Sequence, residues 1–351
     1  ADGPEGLAES ATRVFMGVRL RCANCHDHPL DHWKQDDYHG LSAIFAKLAR
    51  GRVVEVRQRG EVTHPVTGEA AIPRIPGQRD LAIEADGRSL FANWLVEPDN
   101  PYFAPAAVNR IWKQLLGRGL IEPVDDLRST NPPTHPELLE LLSQEFTEAG
   151  YRFKPVIRLI CNSAVYQRSP QTTRKNNHDR VYYSHALVKA LDAEVIVDAL
   201  ADVTGVSLPI DGKSGERIVA NTNKRSESRT LDVLGRCDRV ESCETKSGRR
   251  GSLEMALHLI NGNLVNELIE SENSWLRQRL KSDASPINVI KDVYLRVMAR
   301  PASEAEQLYW RKQLAEAGWS NRATDLTHEH RPFMEDVMWS LLTSDAFLTN
   351  H

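Results

Sequence analysis

Cys22-Ala23-Asn24-Cys25-His26-Asp27-His28-Pro29-Leu30-Asp31-His32-Trp33 is the stretch on which the reading of this chain turns. It opens with Cys-x-x-Cys-His, the spacing that attaches a c-type haem. Two thiols three positions apart can form thioethers to the two vinyl groups on one edge of a porphyrin, and the next residue then lies over the iron. A neutral imidazole is a good axial donor for haem iron, which makes His26 the proximal ligand. Three other readings stand beside this one: a redox-active dithiol, half of a zinc site, and two cysteines together by chance. A thioredoxin-like site wants a βαβ context, and a zinc site wants a second ligand pair at matching spacing; neither pattern is visible. With five Cys and twelve His in 351 residues, a random match to all three positions is rare.

Working outward, apolar Ala8, Ala11, Val14, Phe15, Val18 and Leu20 predict a helix over 7–25 that delivers Cys22 and Cys25 at its C-terminal end. Pro29 stops it. A second helix over 36–49 carries Tyr38, Leu41, Ile44, Phe45 and Leu48 at helical spacing, so the pair could clamp one porphyrin edge. Val53, Val54 and Val56 then alternate with charged residues, which predicts a β-hairpin or extended arm near residues 51–70, closed as a linker by Pro73, Pro76 and Gly77. From residue 87 the periodicity is helical, over 87–97, 105–117, 135–149, 153–165, 180–204, 252–270, 273–283, 286–299, 303–317 and 332–346. Thr134 ahead of Glu137, and Ser303 ahead of Glu306, match helix-start signals. A stretch rich in Gly, Ser, Arg and Asn predicts a long irregular loop near 205–251. The expected fold is mainly α, partitioned into residues 1–50, 51–86 and 87–351.

Composition is that of a globular chain with 41% hydrophobic and 26% charged residues. A net charge of −4 argues against a dedicated nucleic-acid binder. No run of 18 apolar residues occurs, so no transmembrane segment is expected. Ala1–Gly6 has neither the basic nor the apolar region of a secretory leader. Haem c is attached outside the bacterial cytoplasm, so a working Cys22/Cys25 site implies a periplasmic or extracellular chain from which a preceding segment has been removed. Cys237 and Cys243 could close a small disulfide loop or remain two free thiols, while Cys161, in an apolar helical pattern, is expected to be buried and inert.

Three stretches carry a resemblance to a known family. Cys22-Ala-Asn-Cys-His-Asp-His-Pro-Leu-Asp-His-Trp-Lys-Gln-Asp-Asp-Tyr looks like the end of a cytochrome-associated domain of planctomycete-type secreted proteins. Asn100-Pro-Tyr-Phe-Ala-Pro-Ala-Ala-Val-Asn-Arg-Ile-Trp, with Gly117-Arg-Gly-Leu-Ile-Glu-Pro-Val-Asp-Asp and Asn131-Pro-Pro-Thr-His-Pro-Glu-Leu-Leu, looks like the start of the companion C-terminal domain. Ser252-Leu-Glu-Met-Ala-Leu-His-Leu-Ile-Asn-Gly and the close at Trp339–His351 resemble the end of that domain. The resemblance implies a secreted protein that accompanies cytochrome c modules, whose first domain is mostly absent here, and whose relatives are named for sequence rather than for a reaction.

A c-type haem needs a second axial ligand for electron transfer or an open position for chemistry. Met16 shares the predicted helix with Cys22 and does not reach the opposite face. His28 is only two residues past His26, and His32 and His39 are expected to bond carboxylates such as Asp31 and Asp36. His64, on the extended arm beside Pro65, is the best distal candidate, with an ordinary turn residue as its rival and a five-coordinate iron as the other outcome. Asn109, Arg110, Trp112, Arg118, Asp125, Asp126 and Arg128 read as Arg–Asp pairing that fixes helix register, or as a source of an arginine for haem propionates. His135 reads as a capping or packing residue. The cluster from Lys224 to Arg250 makes the long loop locally basic, a solvated loop or a docking site for an acidic partner or anionic polymer. No phosphate loop, nucleophile elbow or His-Glu-x-x-His motif occurs. The leading expectation is a secreted protein with one haem c, held by Cys22, Cys25 and His26, that serves electron transfer or haem-based redox. A structural or assembly module of the cell exterior, and an oxidoreductase acting on an extracellular polymer, are the alternatives; whether the chain is an enzyme stays open. Expected partners are a redox protein, a neighbouring cytochrome module, or further copies of the chain in a homo-oligomer or larger assembly.

Overall fold

Gly3 and Pro4 start the first helix, α1, over Pro4–Ala11, and its apolar Ala8 and Ala11 are buried. A proline is tolerated there because the first helical N–H groups have no partner to lose. The computed structural model describes residues 3–50, 54–82, 86–208, 217–220, 228–236, 253–281, 285–319 and 330–350. The chain divides into two compact units, Ala1–Leu187 and Val188–His351. The boundaries expected after residues 50 and 86 both fall inside the first of these units.

The single helix expected over 7–25 does not form. After α1 one wide π turn spans Thr12–Met16, Gly17 takes a left-handed φ of 66°, and a separate 3₁₀ turn covers Leu20–Asn24. A side chain at Gly17 would put its Cβ 2.7 Å from Leu127 Cδ1 and 3.1 Å from Ala106 Cβ. Only glycine meets both the φ and the close approach. The chain then runs extended through Val18, so Met16, Val18 and Leu20 all point into the core. Helix α2, over Gln35–Phe45, is capped by buried Asp37, whose Oδ2 accepts the Lys34 N–H at 2.9 Å. A hairpin forms, but earlier than expected: α2 stops at Phe45, and Leu48, expected on the helix over 36–49, lies in β1 (Leu48–Arg50), which pairs antiparallel with β2 (Val54–Val56), Leu48 opposite Val56. The arm then folds back on α2, where the Arg74 N–H donates to the Gly40 carbonyl at 3.0 Å. A Cβ on Gly40 would sit 2.5 Å from Arg74 Cβ, so the contact is backbone against backbone.

Four more helices complete the first unit: α3 (Gly87–Leu95), α4 (Phe103–Leu116), α5 (Pro136–Glu148) and α6 (Phe153–Cys161). One buried cluster joins α1, α2 and α3 through Trp33, Tyr38, Leu41, Phe91 and Trp94; another joins α4, α5 and α6 through Trp112, Leu142, Phe146, Val156 and Ile160. Thr134 does not cap α5: His135 holds the N-cap position and the Thr134 hydroxyl donates to the Leu120 carbonyl at 3.2 Å. Cys161 is a free thiol, half-buried rather than fully enclosed. The helix expected over 180–204 begins only at Ala193. Asp179 Oδ1 accepts the N–H groups of Val181 and Tyr182 and its Oδ2 that of Ser184, winding the chain into a turn with Tyr183 at φ 55°. A side chain that satisfies local amides competes with the helix for them.

The second unit starts with β3 (Lys189–Ala190), paired antiparallel with β4 (Thr349–Asn350). Between them lie α7 (Ala193–Thr204), α8 (Arg229–Val233), α9 (Leu253–Ile260), α10 (Asn263–Glu270), α11 (Trp275–Leu280), α12 (Pro286–Met298), α13 (Glu304–Glu316), α14 (Arg331–Leu342) and α15 (Asp345–Leu348). Ile196, Leu200, Val265, Leu276, Val293, Met334 and Met338 are fully enclosed in one core. The helix expected over 252–270 is two, because the chain breaks at Gly262, where a Cβ would lie 2.0 Å from the His258 carbonyl oxygen. Ser303 and Glu306 form the expected reciprocal cap: the Ser303 Oγ accepts the Glu306 N–H and Glu306 accepts the Ser303 N–H at 2.7 Å. Of the loop expected near 205–251, the structure describes a 3₁₀ turn at Ile218–Ala220 and α8; Cys237, Cys243 and Lys224 lie outside the described residues.

Asp125 is buried, and its carboxylate is gripped by Arg13 Nε at 3.2 Å and Arg19 Nη2 at 2.6 Å. Burial alone would push its carboxyl up, but the Arg19 and Arg13 charges outweigh that and hold it below the usual carboxylate range. Asp125→Ala is expected to cost about 2–3 kcal/mol in urea unfolding, less than a fully buried pair because both arginines are partly exposed. With the native value lowered, this contribution is complete above the ordinary carboxylate range and is lost as pH falls through the native value. The acid limb of the wild-type stability curve should therefore be steeper than that of Asp125→Ala, and identical limbs would show that the clamp carries no stability.

Candidate functional site

The pentapeptide sits where the 3₁₀ turn Leu20–Asn24 meets the loop that leads into α2. Leu20 and Ala23 point inward and are fully buried, which turns Cys22 and Cys25 out to solvent as free thiols. The backbone between them is pinned from inside: the Asn24 carbonyl accepts from His39 Nε2 at 3.1 Å and from Gln35 Nε2 at 3.3 Å. Asp27 Oδ1 takes the Gln35 N–H at 3.2 Å, tying the far side of the motif to the start of α2. The turn is thus held by α2 at Asn24 and just beyond the motif at Asp27.

His26 is exposed, and its Nδ1 lies 2.7 Å from the Asp27 carbonyl oxygen. A carbonyl can only accept, so Nδ1 carries a proton, and in the neutral ring Nε2 then keeps its lone pair. That is the tautomer an imidazole needs in order to ligate through Nε2. The two exposed thiols and this imidazole are the donor set that a covalently attached haem requires. Among the described residues no three His, Cys, Asp or Glu side chains converge to hold a metal ion.

The other histidines of this segment are engaged by their own neighbours. His28 Nδ1 accepts the Leu30 N–H at 3.2 Å. His32 bonds Asp31 as expected, at 2.7 Å, and Asp31 also accepts from the indole of buried Trp33 at 3.1 Å. His39 does not meet Asp36 but donates to Asn24; burial lowers its pKa, the Asn24 contact opposes that, and nearby His64 lowers it further. His64 packs edge-on against His39 with ring centroids 5.0 Å apart, and its Nε2 lies 3.2 Å from Asp36 Oδ1. Met16 is enclosed in the core.

The polar group further along the chain is a register lock. Buried Asn109 accepts the Ile121 N–H at 3.0 Å and donates to the Ile121 carbonyl at 2.9 Å, clipping α4 to the segment that follows it. Arg110 donates to the Arg13 carbonyl at 2.5 Å, and Arg128 pairs with Asp126 at 3.2 Å. Arg13 and Arg19, the partners of Asp125, were not legible as such, because each stands more than a hundred residues away from it with no local signal to connect them.

Two family models match the chain. That of PSD1, a protein of unknown function (DUF1553), matches residues 87–314, and that of PSCyt2, a protein of unknown function (DUF1549), matches residues 2–50. The first covers well over half the chain, which therefore belongs to the PSD1 family, with the PSCyt2 match ahead of it. These are the cytochrome-associated domains of unknown function that the sequence resembles. No curated protein and no solved structure matches.

In haem-free, reduced protein, a thiol reagent such as 5,5′-dithiobis(2-nitrobenzoate) should label Cys22 and Cys25 promptly without denaturant and Cys161 more slowly. Cys22→Ser and Cys25→Ser should each remove one equivalent of the prompt reaction. An unchanged prompt count in both would contradict the exposed placement of the pair.

Proposed function

We propose that this member of the PSD1 family is a secreted c-type haem protein that serves electron transfer, with Cys22 and Cys25 as thioether anchors and His26 as proximal ligand. The observation that carries the reading is the pairing of two exposed, unbonded thiols on one pinned turn with an imidazole whose protonated Nδ1 leaves Nε2 free. Haem bound there would supply one-electron redox chemistry. The chain's own part is positional: α2 fixes the turn through Asn24 and Asp27, and the Asp27 carbonyl fixes the His26 tautomer. His64 would serve the distal position only by leaving Asp36 and His39, so the reading rests on His26 and not on His64. A periplasmic or extracellular compartment goes with the reading, since that is where haem c is attached.

Protein produced with an active haem c maturation system should show a Soret band and a pyridine haemochrome spectrum that survive acid–acetone extraction. Cys22→Ser with Cys25→Ser should abolish the covalent signal, and His26→Ala should keep attachment while moving the iron toward high spin. Absence of covalent haem from the wild-type chain under these conditions would overturn the proposal. A low-spin spectrum indifferent to cyanide supports electron transfer; a high-spin, cyanide-binding one points instead to redox catalysis at an open iron.

A further inference from the structure

Two consecutive stretches of the first unit carry opposite charge that no ion pair among the described residues neutralises. From Ser129 to Tyr151 there is no Lys or Arg, and α5 exposes Glu137, Glu140, Glu145 and Glu148. From Arg152 to Leu187 seven Lys or Arg stand against one carboxylate, Asp179, and that carboxylate is taken up by the backbone of its own turn. Lys154 and Arg158 are exposed on α6, and Arg174, Lys175 and Arg180 are exposed on the loop beyond it. Among the described residues none of these cations, and none of the four glutamates, forms an ion pair.

The same two helices also expose apolar side chains. Helices α5 and α6 pack on each other and on α4, yet Leu141 on α5 is 52% exposed and Phe153 and Ile157 on α6 are 54% and 38% exposed. Phe153 is supported from beneath by Phe146 at 5.4 Å between ring centroids, so it is held outward rather than loose. Apolar centres flanked by charged rims are the make-up of protein–protein interfaces. An acidic polymer lying along α6 would meet the unpaired glutamates of adjoining α5, and like charges brought together oppose binding. A second copy of the chain meets neither cost, since it offers both signs.

We propose that the α5–α6 hairpin is a self-association surface on which two copies dock about a two-fold axis, the α5 glutamates of each against the α6 cations of the other. Each charge contact then occurs twice, as in any isologous interface. The proposal is independent of the cofactor and holds for the chain with or without haem.

Sedimentation velocity on the full chain over a concentration series, at low and high sodium chloride, tests it. The wild type should show a monomer–dimer equilibrium that weakens with salt. Glu137→Lys with Glu140→Lys, and separately Lys154→Glu with Arg158→Glu, should each weaken dimerisation at least about tenfold. All four positions are exposed, so far-UV circular dichroism and melting temperature should stay at wild-type values. Mixing the two variants should restore dimer as a heterodimer. A wild type that is monomeric at low salt, a dimer indifferent to both reversals, or a mixture that fails to recover would each overturn the proposal. Retention on a heparin column without self-association would overturn it in favour of a polyanionic partner.

Discussion

The Asp125 carboxylate is the point from which the first unit is held together. A buried anion without a partner is costly, and here the partners are Arg13 and Arg19, which stand on either side of Gly17. That grip draws the N-terminal segment onto α4 and the chain that follows it, where Arg110 reaches the Arg13 carbonyl and the Gly17 carbonyl accepts the Leu127 N–H at 2.8 Å. The close approach leaves no room for a Cβ at Gly17, so the left-handed turn and the clamp require each other.

The same clamp ties the PSCyt2 match to the first part of the PSD1 match within one compact unit. The models divide the chain into 2–50 and 87–314, while the unit runs from Ala1 to Leu187. Sequence models follow recurrence of residues along the chain; compactness follows where buried charge and apolar surface are satisfied. Asp125 belongs to the PSD1 match and its two arginines to the PSCyt2 match, so the electrostatic bond crosses the boundary that the models draw. Asn109, by contrast, closes its two bonds on Ile121 inside the PSD1 segment.

Helix existence was legible wherever the apolar residues recur at helical spacing and a proline or serine marks the start, as at Pro136, Pro286 and Ser303. It failed where a tertiary contact or a local side chain outbid periodicity: at Gly17 against Leu127, at Gly262 against its own preceding turn, and at Asp179, whose oxygens capture the amides a helix would need. The apolar pattern from Ala8 to Leu20 continues past the end of α1 at Ala11, through a π turn and a 3₁₀ turn, and periodicity alone does not show where the helix stops. At the candidate site the spacing of Cys22, Cys25 and His26 was visible from the start, as was the bond from His32 to Asp31. The supports were not, because a carbonyl such as that of Asn24 carries no residue-type signal and can be matched to His39 only once α2 lies beside it.

Those supports bear on what the pentapeptide can do. A free peptide with this spacing samples many thiol separations, and ordering each residue costs roughly 1–2 kcal/mol of backbone entropy. In the folded chain Ala23 is buried, Asn24 is held by two donors and Asp27 by a third, so that cost is met by folding before any ligand arrives. His39 does this as a donor through Nε2, packed edge-on against Tyr38 and His64, and burial lowers its pKa. The same layer includes the histidine read from sequence as a distal candidate: His64 packs edge-on against His39, His39 donates to the Asn24 carbonyl, and Asn24 stands between the two cysteines.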